Sequence, residues 1–353
     1  MVAAAVAAGL ALGGLAASPF DPVGYLVRAG YWQARLLWGR VPLDDAAPGL
    51  DPARRAALDR IPRIKAFAEG ELGLVARGTY DTINPGWDKI VWNVSACRPL
   101  SFTPKTHWFP IVGTVPYLGF FDEGTAREQA RRLDARGFET YVRQAGAYST
   151  LGWFDDPVLP PMLDWTEQRL ADTLVHELVH ANVWVPGSAQ FNESLANFVG
   201  TEGGVGWIVH AYGAGSAEAA AARGRADDGD RYRRLLVQVV AELRDVYQDD
   251  DATTDQKLAR KNAILGSLPD RADAAGFTDP ARYRTMLAPA EWNNARLLQF
   301  RTYYQGKEAF QALYVASGGT IPAFLDRIRA LRDQGGDPWE ALRVATGVDV
   351  SSF

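Results

Sequence analysis

The sequence predicts an α+β fold in which a small mixed sheet and a histidine-bearing helix form an N-terminal lobe and a mainly helical lobe follows. Three observations carry this prediction. Between residues 87 and 150 the chain breaks into short runs rich in Val, Trp, Tyr and Phe, punctuated by Pro and Gly, as strands and their turns are. On either side of that region apolar residues recur at helical spacing. Residues 166–184, TEQRLADTLVHELVHANVW, combine such a stripe with two histidines four residues apart.

In chain order, residues 2–20 come first and carry no charge, which reads as a signal-peptide apolar region or a weak membrane anchor outside the fold. Ala16, Ala17 and Ser18 would suit a signal peptidase, so export to the cell envelope, with membrane association through this segment, is expected. Residues 24–70 read as helices broken near Pro42 and Pro48. IVWNVSA and FETYVRQ are the clearest strands, and residues 124–137 between them form a helix that Gly137 ends. AYSTLGW, residues 147–153, is read as a further strand just before the histidine helix, either an ordinary strand or an edge strand whose Tyr148 could lie beside a bound peptide. Pro186 and Gly187 stop the histidine helix, and residues 189–200 form the next one. Residues 216–249 read as two helices or one hairpin, within a helical remainder. The expected parts are therefore 1–20, a lobe over 21–204, and a helical lobe over 205–353 that closes a cleft.

Composition narrows the function. A net charge of −5 with scattered Lys and Arg gives no nucleic-acid surface. One cysteine, Cys97, excludes an intrachain disulfide and a cysteine-rich metal site. Nothing in the composition calls for an obligate protein partner.

His176-Glu177-Leu178-Val179-His180 is the strongest local signal. Positions i and i+4 of a helix share a face, so both imidazoles can reach one metal ion. Glu177, beside the first, can act as base to a metal-activated water. A solvated helix face without metal is the bland alternative, and Leu170, Leu174, Val175, Leu178 and Val179 argue against it by burying the helix. A catalytic zinc takes three protein ligands and keeps one position open. Glu193 is the candidate third ligand, because antiparallel packing across the turn brings it to His176 and His180; His107 is the rival. Asn197, one turn on, could fix a ligand's second nitrogen. One Zn2+ per chain is expected.

HELVH followed twelve residues later by NESLAN resembles the zinc-binding core of the glutamate-zincins, HExxH then NExx(S/A)(D/N). The wider chain resembles a bacterial envelope family of predicted aminopeptidases. The resembling stretches are residues 24–37, 91–96, 104–123 and 147–159, the zinc motif, and NNARL at 293–297 with Thr302-Tyr303. Relatives in that family often look like lipoproteins, whereas no cysteine follows the apolar run here, which speaks against a lipid anchor. The resemblance implies a zincin-like fold and a zinc metallopeptidase acting on peptides, with Glu177 as general base. Tyr303 is the candidate oxyanion donor from the far lobe, with Tyr148 and His107 behind it. An aminopeptidase also needs an anion for the substrate's free α-amine, and Asp155 or Asp156 is the candidate. Two other readings stay open: a non-catalytic zinc-binding envelope protein, and an amidase acting on a cell-wall amide.

Overall fold

The computed structural model describes residues 22–87, 91–109, 113–144, 155–288 and 292–350. Its architecture is mixed α+β, mostly helical with small sheets. The opening helices are α1 (Pro22–Trp38), the single turn α2 (Leu43–Ala46) and α3 (Pro52–Gly70). A 3-10 turn, Ala47–Gly49, supplies the break expected near Pro48. Asp51 caps α3 by accepting from the backbone N–H groups of Ala53 and Arg54, both at 3.0 Å.

Strands β1 (Val41–Pro42) and β2 (Thr82–Ile83) form one antiparallel pair, and β4 (His107–Phe109) and β5 (Gly113–Val115) another. The main sheet has the order β6–β3–β7, with β3 (Trp92–Cys97) between β6 (Tyr117–Phe120) and β7 (Glu139–Gln144). Asn93 is paired with Gly119 on one side and Arg143 on the other, and Ser95 with Tyr117 and Tyr141. The two-residue period divides this sheet cleanly. Val94, Ala96, Leu118 and Phe120 pack against Ala126, Ala130 and Leu133 of α4 (Glu123–Asp134). The opposite face, with Ser95, Cys97 and Tyr141, covers the helix that later carries Tyr303.

The centre of the molecule is the antiparallel pair α5 (Glu167–Asn182) and α6 (Ala189–Tyr212). Leu170, Ala171, Leu174, Val175, Leu178 and Val179 of α5 are buried in the largest core cluster, as their spacing requires. The seam between the two helices is lined by glycine. A Cβ on Gly204 would lie 1.4 Å from Asp172 Oδ1, and one on Gly200 would lie 2.7 Å from the Asp172 carbonyl oxygen. Glu167, in the first turn of α5, accepts from Trp207 Nε1 at 2.9 Å and from Tyr212 Oη at 2.7 Å, which fastens the far end of α6.

Two expectations change here. The second helix does not stop at 200: residues 201–212 continue it, and Gly200, Gly203 and Gly204 let α6 lie against α5. Residues 217–248 form one 32-residue helix, α7 (Ala217–Gln248), rather than two. Ser216 caps it, and Leu235, Leu236, Val239, Val240 and Leu243 give it a continuous buried face. The expected lobe boundary at 204/205 falls inside α6, and Trp207 and Ile208 beyond it join the same core. AYSTLGW, with Tyr148, lies outside the described residues.

The remaining helices are α8 (Thr254–Gly266), α9 (Leu268–Ala274), α10 (Pro280–Met286), α11 (Asn294–Tyr304), α12 (Lys307–Ala316), α13 (Ile321–Gln334) and α14 (Pro338–Thr346). Among the described residues no helix is long and apolar enough to cross a membrane.

Candidate metal centre

Two asparagines pin the segments that carry the candidate ligands. Asn182, ending α5, donates to the carbonyls of Leu178 (2.8 Å) and Val75 (3.0 Å) and accepts from Val75 N–H (2.9 Å). Asn192 closes the α5–α6 turn by bonding both backbone groups of Val185, accepting at 2.9 Å and donating at 2.8 Å. Glu193 is the next residue, so its backbone is fixed by that bond pair. Thr166 caps the start of α5 by accepting from Arg169 N–H at 3.3 Å.

His176, His180 and Glu193 converge, with their donor atoms all within 4.8 Å of one another. The two Nε2 atoms are 3.2 Å apart, and Glu193 places Oε2 3.6 Å from His176 Nε2 and Oε1 3.7 Å from His180 Nε2. A tetrahedral zinc with bonds of about 2.0–2.1 Å has ligand–ligand edges of about 3.3–3.4 Å. The three donors therefore stand near the spacing such an ion requires. Nitrogen and carboxylate oxygen are also ligand types that zinc accepts.

The protonation states agree with that spacing. Burial and the neighbouring His176 bring His180 down to about 4, against the pull of Glu193, so its imidazole is neutral. Burial works to raise Glu193, but the adjacent His176 and the charges of His180 and Arg143 hold it at about 2, as a carboxylate. His176 is also opposed by burial, yet the adjacent Glu193 and the charge of Glu177 raise it above its ordinary value. His176 therefore stands beside a carboxylate that favours its protonated form. A divalent ion would bind His176 in its neutral form, since metal ligands bind deprotonated.

The other candidates fall at different distances from this cluster. Glu177 lies on α5 beside His176, half-buried. Tyr303, in the last turn of α11, brings its ring centroid to 6.4 Å from that of His176. Ser194 Oγ donates to the Thr302 carbonyl at 3.2 Å and ties that turn to the start of α6. Asn197 makes no hydrogen bond to either imidazole among the described residues, and His180 Nδ1 is buried there without a partner. His107 sits on β4 outside the cluster, where burial and Lys105 lower it to about 4.

Asp155 is exposed and packs its carboxylate over Gly78, while its carbonyl accepts from Arg40 at 2.9 Å. Asp156 is buried, and its carbonyl accepts from Tyr80 N–H at 2.8 Å. Of the two, Asp156 is turned toward the interior that contains Glu177: the charges of both raise the buried Tyr80 phenol, after burial itself.

Three residues near the cluster were not foreseen. Arg143 on β7 donates from Nη2 to Tyr303 Oη at 2.8 Å, and its charge reaches Glu193 and His176. Tyr117 on β6 has its ionisation pushed up by burial and then by Tyr303 and Glu193. Tyr80 is buried at a φ of 64°, in the left-handed region that side chains seldom adopt. Alternation along ETYVRQ was the available signal for Arg143, because it places Glu139, Tyr141 and Arg143 on one face.

Comparison with known proteins agrees with the extent of the fold. A sequence model of the family described as putative aminopeptidase matches residues 24–338. No curated protein and no solved structure matches the chain. The match spans both members of the α5–α6 pair, the three-stranded sheet and α11, so the chain belongs to the putative aminopeptidase family.

Proposed function

We propose that this chain is a zinc-dependent metallopeptidase with a zincin-type centre, acting as an aminopeptidase on peptides in the cell envelope. The observation that carries this reading is the convergence of two neutral-capable imidazoles and one carboxylate at ligand spacing, with a second carboxylate, Glu177, next to the first histidine. Membership of an aminopeptidase-named family gives it independent support.

His176, His180 and Glu193 would hold the ion. Zinc bound there supplies Lewis acidity toward a carbonyl oxygen and a water molecule. Glu177 would accept a proton on its carboxylate from an attacking water and pass it to the leaving amine. Tyr303, held as a neutral phenol by burial and by the charge of Glu193, offers its O–H to the oxygen on which negative charge develops. Asp156 is the residue we assign to the substrate's α-ammonium group, because it is buried on the Glu177 side of the fold while Asp155 faces solvent.

Free and N-acetylated forms of one peptide test the exopeptidase assignment. Cleavage confined to the free form, and lost in Asp156→Asn, is the expected result. Equal cleavage of both forms would remove the aminopeptidase assignment and leave an endopeptidase.

A further inference from the structure

Resting on the peptidase reading, we propose that Arg143 is a positioning residue that aims the hydroxyl proton of Tyr303 toward the reacting group beside His176 and Glu193. Arg143 leaves β7 on the face of the sheet that carries Tyr141, toward α11, and Tyr303 comes off the last turn of that helix. The two meet at a 2.8 Å hydrogen bond, with the guanidinium carbon 5.2 Å from the phenol's ring centroid. A guanidinium only donates, whereas a phenol oxygen has one proton to give and lone pairs to accept with. The bond from Arg143 therefore occupies a lone pair of Tyr303 and leaves the phenol's own proton for another acceptor.

Direction matters more than charge in this arrangement. A donor already held in place stabilises a developing oxyanion without reorganising at the moment of reaction. The alternative role for a cation here, anchoring an anionic group of the substrate, would use a guanidinium free to face the cleft. Arg143 instead commits an N–H to Tyr303, and its Nε is buried with no partner among the described residues. Tyr117 completes the wall on the β6 side, near enough that Tyr303 and Glu193 raise its ionisation.

A double-mutant cycle tests this on the zinc-loaded full chain. The variants are Arg143→Gln, Tyr303→Phe and the pair, with Arg143→Lys as a second probe should the glutamine variant misfold. Each is read by steady-state hydrolysis of an unblocked peptide anilide and by calorimetric binding of a phosphinic peptide, a tetrahedral oxyanion mimic. Tyr303→Phe should lower kcat about 10²- to 10³-fold. Arg143→Gln should lower it on the order of 10- to 100-fold with KM unchanged, the scale of a displaced catalytic group. The double variant should be no worse than Tyr303→Phe alone, and phosphinate affinity should show the same non-additivity.

Losses that multiply in the double variant would overturn the proposal. So would a raised KM with kcat kept, which makes Arg143 a substrate anchor, or a parent-like Arg143→Gln. A parent that binds zinc and phosphinate but cleaves no peptide would sink the peptidase reading alone, and the binding cycle would still decide the role of Arg143. A parent that binds no phosphinate overturns both.

Discussion

At the residue scale, the HELVH stretch and Glu193 were legible because their relation is local: four residues on one helix, then one short turn to the next. Arg143 and Tyr117 were not, because strand pairing and the docking of α11 bring together residues up to 160 positions apart. Glu177→Gln should retain the metal and lower kcat about 10²- to 10⁴-fold, the range for a lost general base, as zinc analysis and peptide turnover would show together. Undiminished turnover would remove Glu177 from that role. A second prediction concerns Asp172, whose carboxyl is driven up to about 8 by burial, with Arg225 opposing. Its Oδ1 is buried without a hydrogen-bond partner among the described residues. The folded protein keeps this proton from the ordinary aspartate pKa of about 3.9 up to about 8, while the unfolded chain releases it. The resulting stabilisation is complete below about 3.9 and is lost as pH rises toward 8. Melting temperatures of the parent and Asp172→Asn should therefore be close at the acid end and separate with rising pH, the variant becoming the more stable. A constant offset across the whole range would contradict this.

At the scale of the element, the two central helices show how far pattern alone reaches. The apolar stripe of α5 is read directly from its spacing, and the structure buries that face. The expected helix ended at 200, whereas α6 runs on through Gly200, Gly203 and Gly204, which weaken a helix by propensity, about 1 kcal/mol each against alanine. Their role appears only when the partner helix is present. Gly200→Ala tests that role, since its Cβ would meet the Asp172 carbonyl at 2.7 Å and His176 Cβ at 3.1 Å. The propensity gain of about 1 kcal/mol favours alanine, whereas overpacking costs about 1–3 kcal/mol, and backbone lies on both sides of the clash. The expected outcome in thermal denaturation is a lower Tm, accompanied by weaker zinc retention because His176 is displaced. A raised Tm with unchanged zinc affinity would show that the seam has room.

At the scale of the whole molecule, a mixed α+β class was legible from composition and periodicity. The core that buries α5 also takes in Trp207, Phe310, Phe324 and Leu342, which come from helices far apart in sequence. Metal binding should be felt across this shared core, because a ligand that binds only the folded chain stabilises it by about 2.7 kcal/mol at 100 times its Kd. Chelation should lower the Tm of the parent, restored zinc should recover it, and Glu193→Ala should respond to neither. The central claim is tested most directly by zinc per chain, measured by elemental analysis on the parent and on Glu193→Ala. One zinc per parent chain, with much weaker retention in the variant, is the predicted result. A folded parent that holds no zinc after incubation with it, or a variant that holds it equally well, would contradict the account.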